Sequence, residues 1–173
     1  MTEQIILVFP TLEMENQAIE YRQEYFDYGE YEISGDGGLD HADNYKNWFN
    51  IITSAQTAAP NGWVNCSTYF AAIGDKIIGT IQIRHSLNEF LIDYGGHIGY
   101  GVRPSERRKG YASQMLKLAL EKCCKLNIDK VLITCDKDNI ASAKTIMKNG
   151  GIIENELTEQ NGNLVQRYWI TLK

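Results

Sequence analysis

The chain has 173 residues, 43% of them hydrophobic and 23% charged, with a formal net charge of -5 at pH 7. That profile suits a soluble globular protein of one domain, 1–173, with its own core, and it disfavours a general nucleic-acid binder, which needs excess basic charge against phosphate. No run approaches the ~18 apolar residues of a membrane span, so no membrane partner is expected, and Met1-Thr-Glu-Gln lacks the basic start of a secretory signal. Cys66, Cys123, Cys124 and Cys135 form no Cys-x-x-Cys pair and have no flanking histidines, which suggests neither a metal site nor a disulfide framework. Reduced thiols in a cytoplasmic protein are the expectation.

Taken in order, Ile5 to Val8 reads as a first strand, closed by Pro10-Thr11, with Thr11 as a candidate helix cap. Leu12 to Phe26 suits a helix, with Ala18, Ile19, Arg22 and Phe26 at helical spacing. Aromatics from Tyr21 to Tyr31 run into Ser34-Gly-Asp-Gly-Gly38, too rich in glycine to be an element interior. A second helix is expected from near Asp40 to Asp43, because Tyr45, Trp48, Phe49 and Ile52 repeat at i, i+3, i+4 and i+7. Ser67 to Ile73 and Lys76 to His85 read as strands joined at Gly74-Asp75. Ser86 to Tyr94 allows a short helical turn, and Ile98 to Val102 is a short apolar strand ended by Arg103-Pro104. Apolar residues at 112, 115, 116, 119, 120 and 123 predict an amphipathic helix. Lys130 to Cys135 is a buried strand, Ile140 to Lys148 a helix, and Ile152 onward and Leu164 to Leu172 two strands about a turn at Glu159 to Asn163. The order is β-α-α-β-β-β-α-β-α-β-β.

The informative stretch is the join between the strand ending at Val102 and the helix that follows. Arg107-Arg108-Lys109-Gly110 is a basic, glycine-containing turn on an acidic chain, and it opens a helix whose first N–H groups lack intrahelical acceptors. Such a turn suits phosphate, with Arg107, Arg108 and Lys109 as charged partners and Gly110, Tyr111 and Ala112 bringing backbone close. Arg107-x-x-Gly110-x-Ala112 resembles the pyrophosphate loop of the GCN5-related N-acetyltransferases, the GNAT family. A second block agrees in position: Asn139, Ser142, Lys148 and Gly150 match the family's Asn-x-x-Ser-x-x-x-Tyr-x-Lys-x-Gly-Phe, while Ile146 stands in the tyrosine slot and Gly151 in that of phenylalanine.

The resemblance implies an α/β (α+β) GNAT fold. It would have a mixed, mostly antiparallel central sheet of six to seven strands, about four flanking helices, and a splayed parallel pair formed by the strand of Tyr100 and that of Cys135. It implies acetyl-CoA as co-substrate and a small-molecule or peptide amine as acceptor, leaving a homodimer open. A backbone N–H near Val102 would polarise the acetyl carbonyl and Asn139 would hold the pantetheine arm or a water. Ile146 cannot donate the proton that the family's tyrosine gives to the thiolate, so Tyr100, Ser142 or water are the replacements. A carboxylate of histone-type relatives would fall at Gly96, and that role is vacant. His97 titrates in the useful range when unperturbed, and Asp93 precedes the strand. The region after the first helix, with Tyr28, would wall the acceptor pocket. Those two vacancies also motivate a different class, a non-catalytic acyl-CoA-binding or sensing module. A nucleotide-binding domain is a third reading, but both Gly-x-x-x-x-Gly-Lys-Ser/Thr and Gly-x-Gly-x-x-Gly are missing.

Overall fold

The computed structural model describes residues 4–173; Met1 to Glu3, on which the reading of the N-terminus partly rests, lie outside the described residues. Among the described residues there are seven strands and four α-helices, in the expected order: β1 (Ile6–Val8), α1 (Glu15–Asp27), α2 (Tyr45–Ser54), β2 (Cys66–Ile73), β3 (Lys76–Arg84), β4 (Ile98–Val102), α3 (Tyr111–Lys125), β5 (Lys130–Asp136), α4 (Ile140–Lys148), β6 (Ile152–Thr158) and β7 (Leu164–Thr171). The strands form two antiparallel sheets, β1-β2-β3-β4 and β5-β7-β6. No described helix is long and apolar enough to cross a membrane.

The sheets meet at one point. His97 N–H donates to the Leu132 carbonyl at 2.7 Å, and Leu132 N–H donates back to His97 Nδ1 at 2.9 Å. These bonds tie the residue just before β4 to the middle of β5. Beyond His97 the two strands share no ladder. At Gly96, φ is 64° and an added Cβ would lie 2.6 Å from the Leu132 carbonyl oxygen, so the close junction admits no side chain. That is a physical reason for the vacant carboxylate.

Helices cover both faces of the first sheet. One core packs Met115, Leu116, Ala119 and Cys123 of α3 and Ile146 of α4 onto Ile81, Ile98 and Ile133. The other packs Tyr21 and Tyr25 of α1 and Trp48 and Ile52 of α2 onto Phe70 and Ile77. Four details differ from expectation. Thr11 makes no side-chain cap; a 3₁₀ turn, Leu12–Met14, comes first, and the Thr11 carbonyl accepts from Met14 N–H and Tyr45 O–H. The buried stripe of α1 is Ala18, Tyr21 and Tyr25, while Ile19 is exposed, because the tyrosine hydroxyls find partners in Thr80 and the Val102 carbonyl. Helix α2 starts at Tyr45, where the Asn44 side chain accepts from Asn47 N–H at 2.9 Å. The turn before β4 is a π-type turn, Leu91–Gly95, closed by Gly96 N–H on the Leu91 carbonyl.

Candidate active site

Where β4 and β5 part, a cleft of about 700 Å³ opens between β4, the 106–113 loop, α4 and the segment after α1. Of the residues singled out above, Tyr100, Ser142, Val102, Arg107, Arg108, Gly110, Tyr111, Ala112 and Asn139 line it. Lys109 does not; its ammonium is bonded to Glu106 at 2.8 Å, and Lys76 holds the other carboxylate oxygen. Those two cations keep Glu106 below the usual carboxylate range.

The direction of the backbone groups follows from the register of β3 and β4. Arg84 N–H bonds the His97 carbonyl and Arg103 N–H bonds the Ile78 carbonyl, so the hydrogen-bonded pairs are 84/97, 82/99, 80/101 and 78/103. Tyr100 and Val102 therefore turn their N–H and C=O groups away from β3, toward the gap that β5 has left. The Val102 carbonyl is occupied, by Tyr25 O–H at 2.8 Å and Arg107 Nε at 3.1 Å. No acceptor is paired with Val102 N–H among the described residues.

On the facing wall, the first intrahelical bond of α3 is Gln114 N–H on the Gly110 carbonyl, which leaves the N–H groups of Tyr111, Ala112 and Ser113 without helix acceptors. Gly110 is the N-cap at φ 82°, with no side-chain cap, and Arg108 is left-handed too, at φ 63°. A left-handed arginine costs of order 1 kcal/mol or more, a local strain at the rim of the cleft. Lys144 and Lys148, one turn apart on α4, complete this wall.

Deeper in, the Tyr100 hydroxyl and Ser142 Oγ lie 2.8 Å apart across the gap. Burial pushes the Tyr100 phenol up to about 12, so it stays protonated near neutral pH. Asn139 Oδ1 accepts from Ser142 N–H at 3.1 Å, capping α4, and this fixes the serine. Ile146 is fully buried in the core and does not line the cleft.

Three expected acceptor residues fall elsewhere. His97 is 7% exposed, and desolvation takes its imidazole down to about 4, leaving it a neutral staple between the sheets. Asp93 lies in the π-type turn and Tyr28, exposed, caps α1; neither lines the cleft. The segment after α1 does border it, through Glu30, Glu32 and Ser34. Reading the sequence missed Tyr25, Ser113 and Lys144 as cleft residues. The signal for Tyr25 was its spacing from Ala18 and Tyr21, and for Lys144 its place one helical turn before Lys148. Among the described residues no histidine lines the cleft, and no cluster of His, Cys, Asp and Glu is arranged to hold a metal ion.

This geometry agrees with two kinds of comparison. A family model described as an acetyltransferase (GNAT) domain matches residues 17–152. The chain belongs to the GNAT acetyltransferase family. No curated protein matches it in sequence. Among solved structures, the microcin C7 self-immunity acetyltransferase MccE, in complex with acetyl-CoA and AMP, superposes at a TM-score of 0.68 with 17% identity over 98% of this chain and 93% of its own. RimL, a ribosomal L7/L12 alpha-N-protein acetyltransferase in complex with coenzyme A, gives 0.68 and 17% over 97% and 94%. The spermidine/spermine N-acetyltransferase SpeG from Vibrio cholerae gives 0.67 and 14% over 98% and 94%. At these identities the likeness is one of fold.

Proposed function

We propose that the protein transfers the acetyl group of acetyl-CoA to a primary amine of a small molecule or peptide. The observation that carries this reading is the Val102 N–H, aimed into a cleft whose other wall is the open N-terminus of α3. The diphosphate would lie on the N–H groups of Tyr111 to Ser113 with Arg108, Lys144 and Lys148 nearby, which directs the thioester along β4 toward Tyr100. There Val102 N–H polarises the carbonyl oxygen as the amine attacks, and stabilises the oxyanion that forms. The amine nitrogen bonds to carbon, the C–S bond breaks, and the products are an amide and the thiol of coenzyme A. The acceptor enters over Glu32, a carboxylate at the rim with no ion-pair partner among the described residues, which attracts an ammonium group.

The proton balance sets the role of Tyr100. A thiol of ordinary pKa, ~8.5, is a stronger acid than this phenol at about 12, so full transfer from tyrosine to thiolate is uphill by ~5 kcal/mol. Tyr100 therefore acts as a hydrogen-bond donor to the leaving sulfur, backed by Ser142, and the proton that ends on the thiol comes from the attacking amine by way of solvent. Cofactor matching fits the solved relatives, of which MccE was captured with acetyl-CoA and RimL with coenzyme A.

The test is release of free thiol from acetyl-CoA in the presence of spermidine and a peptide with a free α-amino group. Turnover above an Ala112→Leu control, whose added bulk blocks the α3 N-terminus, is the expected result. Binding of acetyl-CoA without turnover on a broad amine panel would favour an acyl-CoA sensor instead.

A further inference from the structure

Arg107 is the arginine of the phosphate-loop pattern, yet its guanidinium is engaged elsewhere. Nη1 and Nη2 donate to the two carboxylate oxygens of Glu30 at 2.7 and 2.6 Å, and Nε donates to the Val102 carbonyl at 3.1 Å. The guanidinium carbon sits 5.4 Å from the centroid of the Tyr25 ring. Glu30 is held below, and Arg107 above, its ordinary range by this pairing. Tyr25 O–H donates to the same Val102 carbonyl at 2.8 Å.

We propose that Glu30, Arg107 and Tyr25 form a positioning device for the transfer step, aiming the Val102 backbone donor, and that Arg107 is not a ligand of the diphosphate. The inference rests on the acetyl-transfer reading above. Val102 is the last residue of β4, and on its gap side no strand pairs with it. In a sheet, a neighbouring strand fixes the peptide planes through bonds to both C=O and N–H. Here that neighbour has splayed away, and the phenol and guanidinium supply the missing donors to the carbonyl. The N–H on the same side of the strand stays unpaired and held in direction, as an oxyanion donor must be. The same pair anchors the acceptor wall, since Glu30 leads into Ser34, whose carbonyl accepts from Thr80 Oγ1 at 3.1 Å. Freeing Arg107 for phosphate would undo a bidentate, charge-assisted contact and release Val102 as the cofactor arrives. The diphosphate has other partners that need no such exchange: the α3 N–H groups, Arg108, Lys144 and Lys148, whose charged groups have no carboxylate partner among the described residues.

Three measurements test this. Calorimetry with acetyl-CoA should give Glu30→Gln, Tyr25→Phe and Arg107→Gln dissociation constants within about threefold of the unmodified protein, while Arg108→Gln weakens binding by about tenfold. With spermidine or a free-amino peptide as acceptor, Glu30→Gln and Arg107→Gln should lower kcat by about 10–100-fold at an unchanged KM for acetyl-CoA. Hydrogen exchange at Glu30 N–H, which donates to the Tyr25 carbonyl at 2.9 Å, reads the device without any acceptor. It should quicken in Arg107→Gln and stay slow in the unmodified protein when acetyl-CoA is added. A tenfold or larger loss of acetyl-CoA affinity in Arg107→Gln beside unchanged binding in Glu30→Gln, or faster Glu30 exchange on adding acetyl-CoA, overturns the proposal. If the unmodified protein binds no acetyl-CoA, the cofactor reading fails instead, and the exchange in Arg107→Gln still reports whether the pair holds the segment.

Discussion

Two residues facing opposite ways bear on the acid side of the proposed chemistry. Tyr100 reaches across the gap to Ser142, whereas Ile146, in the slot where the family has its tyrosine, points into the core at 0% exposure. Replacing Tyr100 by Phe removes one hydrogen bond to a developing thiolate, of the charge-assisted kind worth ~1.5–3 kcal/mol. A fall in kcat of about 10–100-fold with little change in acetyl-CoA affinity is expected. Steady-state rates with saturating acetyl-CoA measure it, and an unchanged kcat would take Tyr100 out of the step. Converting Ile146→Tyr, by contrast, forces a phenol into a filled site. The cost is roughly 1–3 kcal/mol of stability, seen as a Tm several degrees lower, with no gain in kcat; an increase in kcat would show that α4 turns this position to the cleft.

At the scale of elements, the N-terminus of α3 carries the cofactor reading, and it constrains how that reading can be probed. Gly110→Val is the obvious block, but Gly110 has φ 82°, where a β-branched residue is strained whatever the ligand. Its Tm should fall even without cofactor. Ala112→Leu, on a half-exposed helical position of the cleft wall, should keep its Tm within a few degrees while blocking phosphate. Thermal melts of the two proteins alone check this, and an equal loss in both would make Ala112→Leu useless as a control.

The same element shows what the sequence made legible. The period of Met115, Leu116, Ala119 and Cys123, the turn at Gly110 and the breaks at Pro104 and Asn139 are local signals, and each element they mark stands where expected. Tyr100, Val102 and Asn139 as cleft residues were also legible, through the resemblance to the family pattern. Contacts between distant segments were not. Arg107 with Glu30 spans 77 residues, as does Tyr25 with Val102, and nothing local marks either as a pair. His97 looked like a titrating group because its isolated pKa lies near neutrality; the burial and the Arg84 charge that lower it come from the packing at the junction of two sheets.

At the scale of the whole molecule, that junction makes a pH prediction. His97, at about 4 in the folded chain against ~6.5 unfolded, binds fewer protons folded than unfolded between those values. Its contribution is present above pH 6.5 and lost as pH falls toward 4, up to ~3 kcal/mol. Protonation would also set an N–H donor against the Leu132 N–H. Asp36 has the opposite sign. Burial raises its carboxyl to about 7, so it binds more protons folded, and acidification over the same range strengthens its contribution. The two oppose each other, and the unmodified protein should show a shallow stability profile between pH 7 and 4. Denaturant melts of His97→Asn, which keeps an acceptor for Leu132, should show stability rising on acidification relative to the unmodified protein. Asp36→Asn should show the reverse, and parallel curves for all three would refute the assignment.

The catalytic predictions depend on acetyl-CoA occupying the gap between β4 and β5, with its diphosphate on α3. Calorimetric titration of acetyl-CoA into the unmodified protein and into Ala112→Leu tests that most directly. The expected result is saturable binding at one site per chain, with a dissociation constant in the ~1 μM–1 mM range of enzyme substrates, and a loss of at least tenfold in the variant. No heat in the unmodified protein, or equal affinity in a correctly folded Ala112→Leu, would contradict the account.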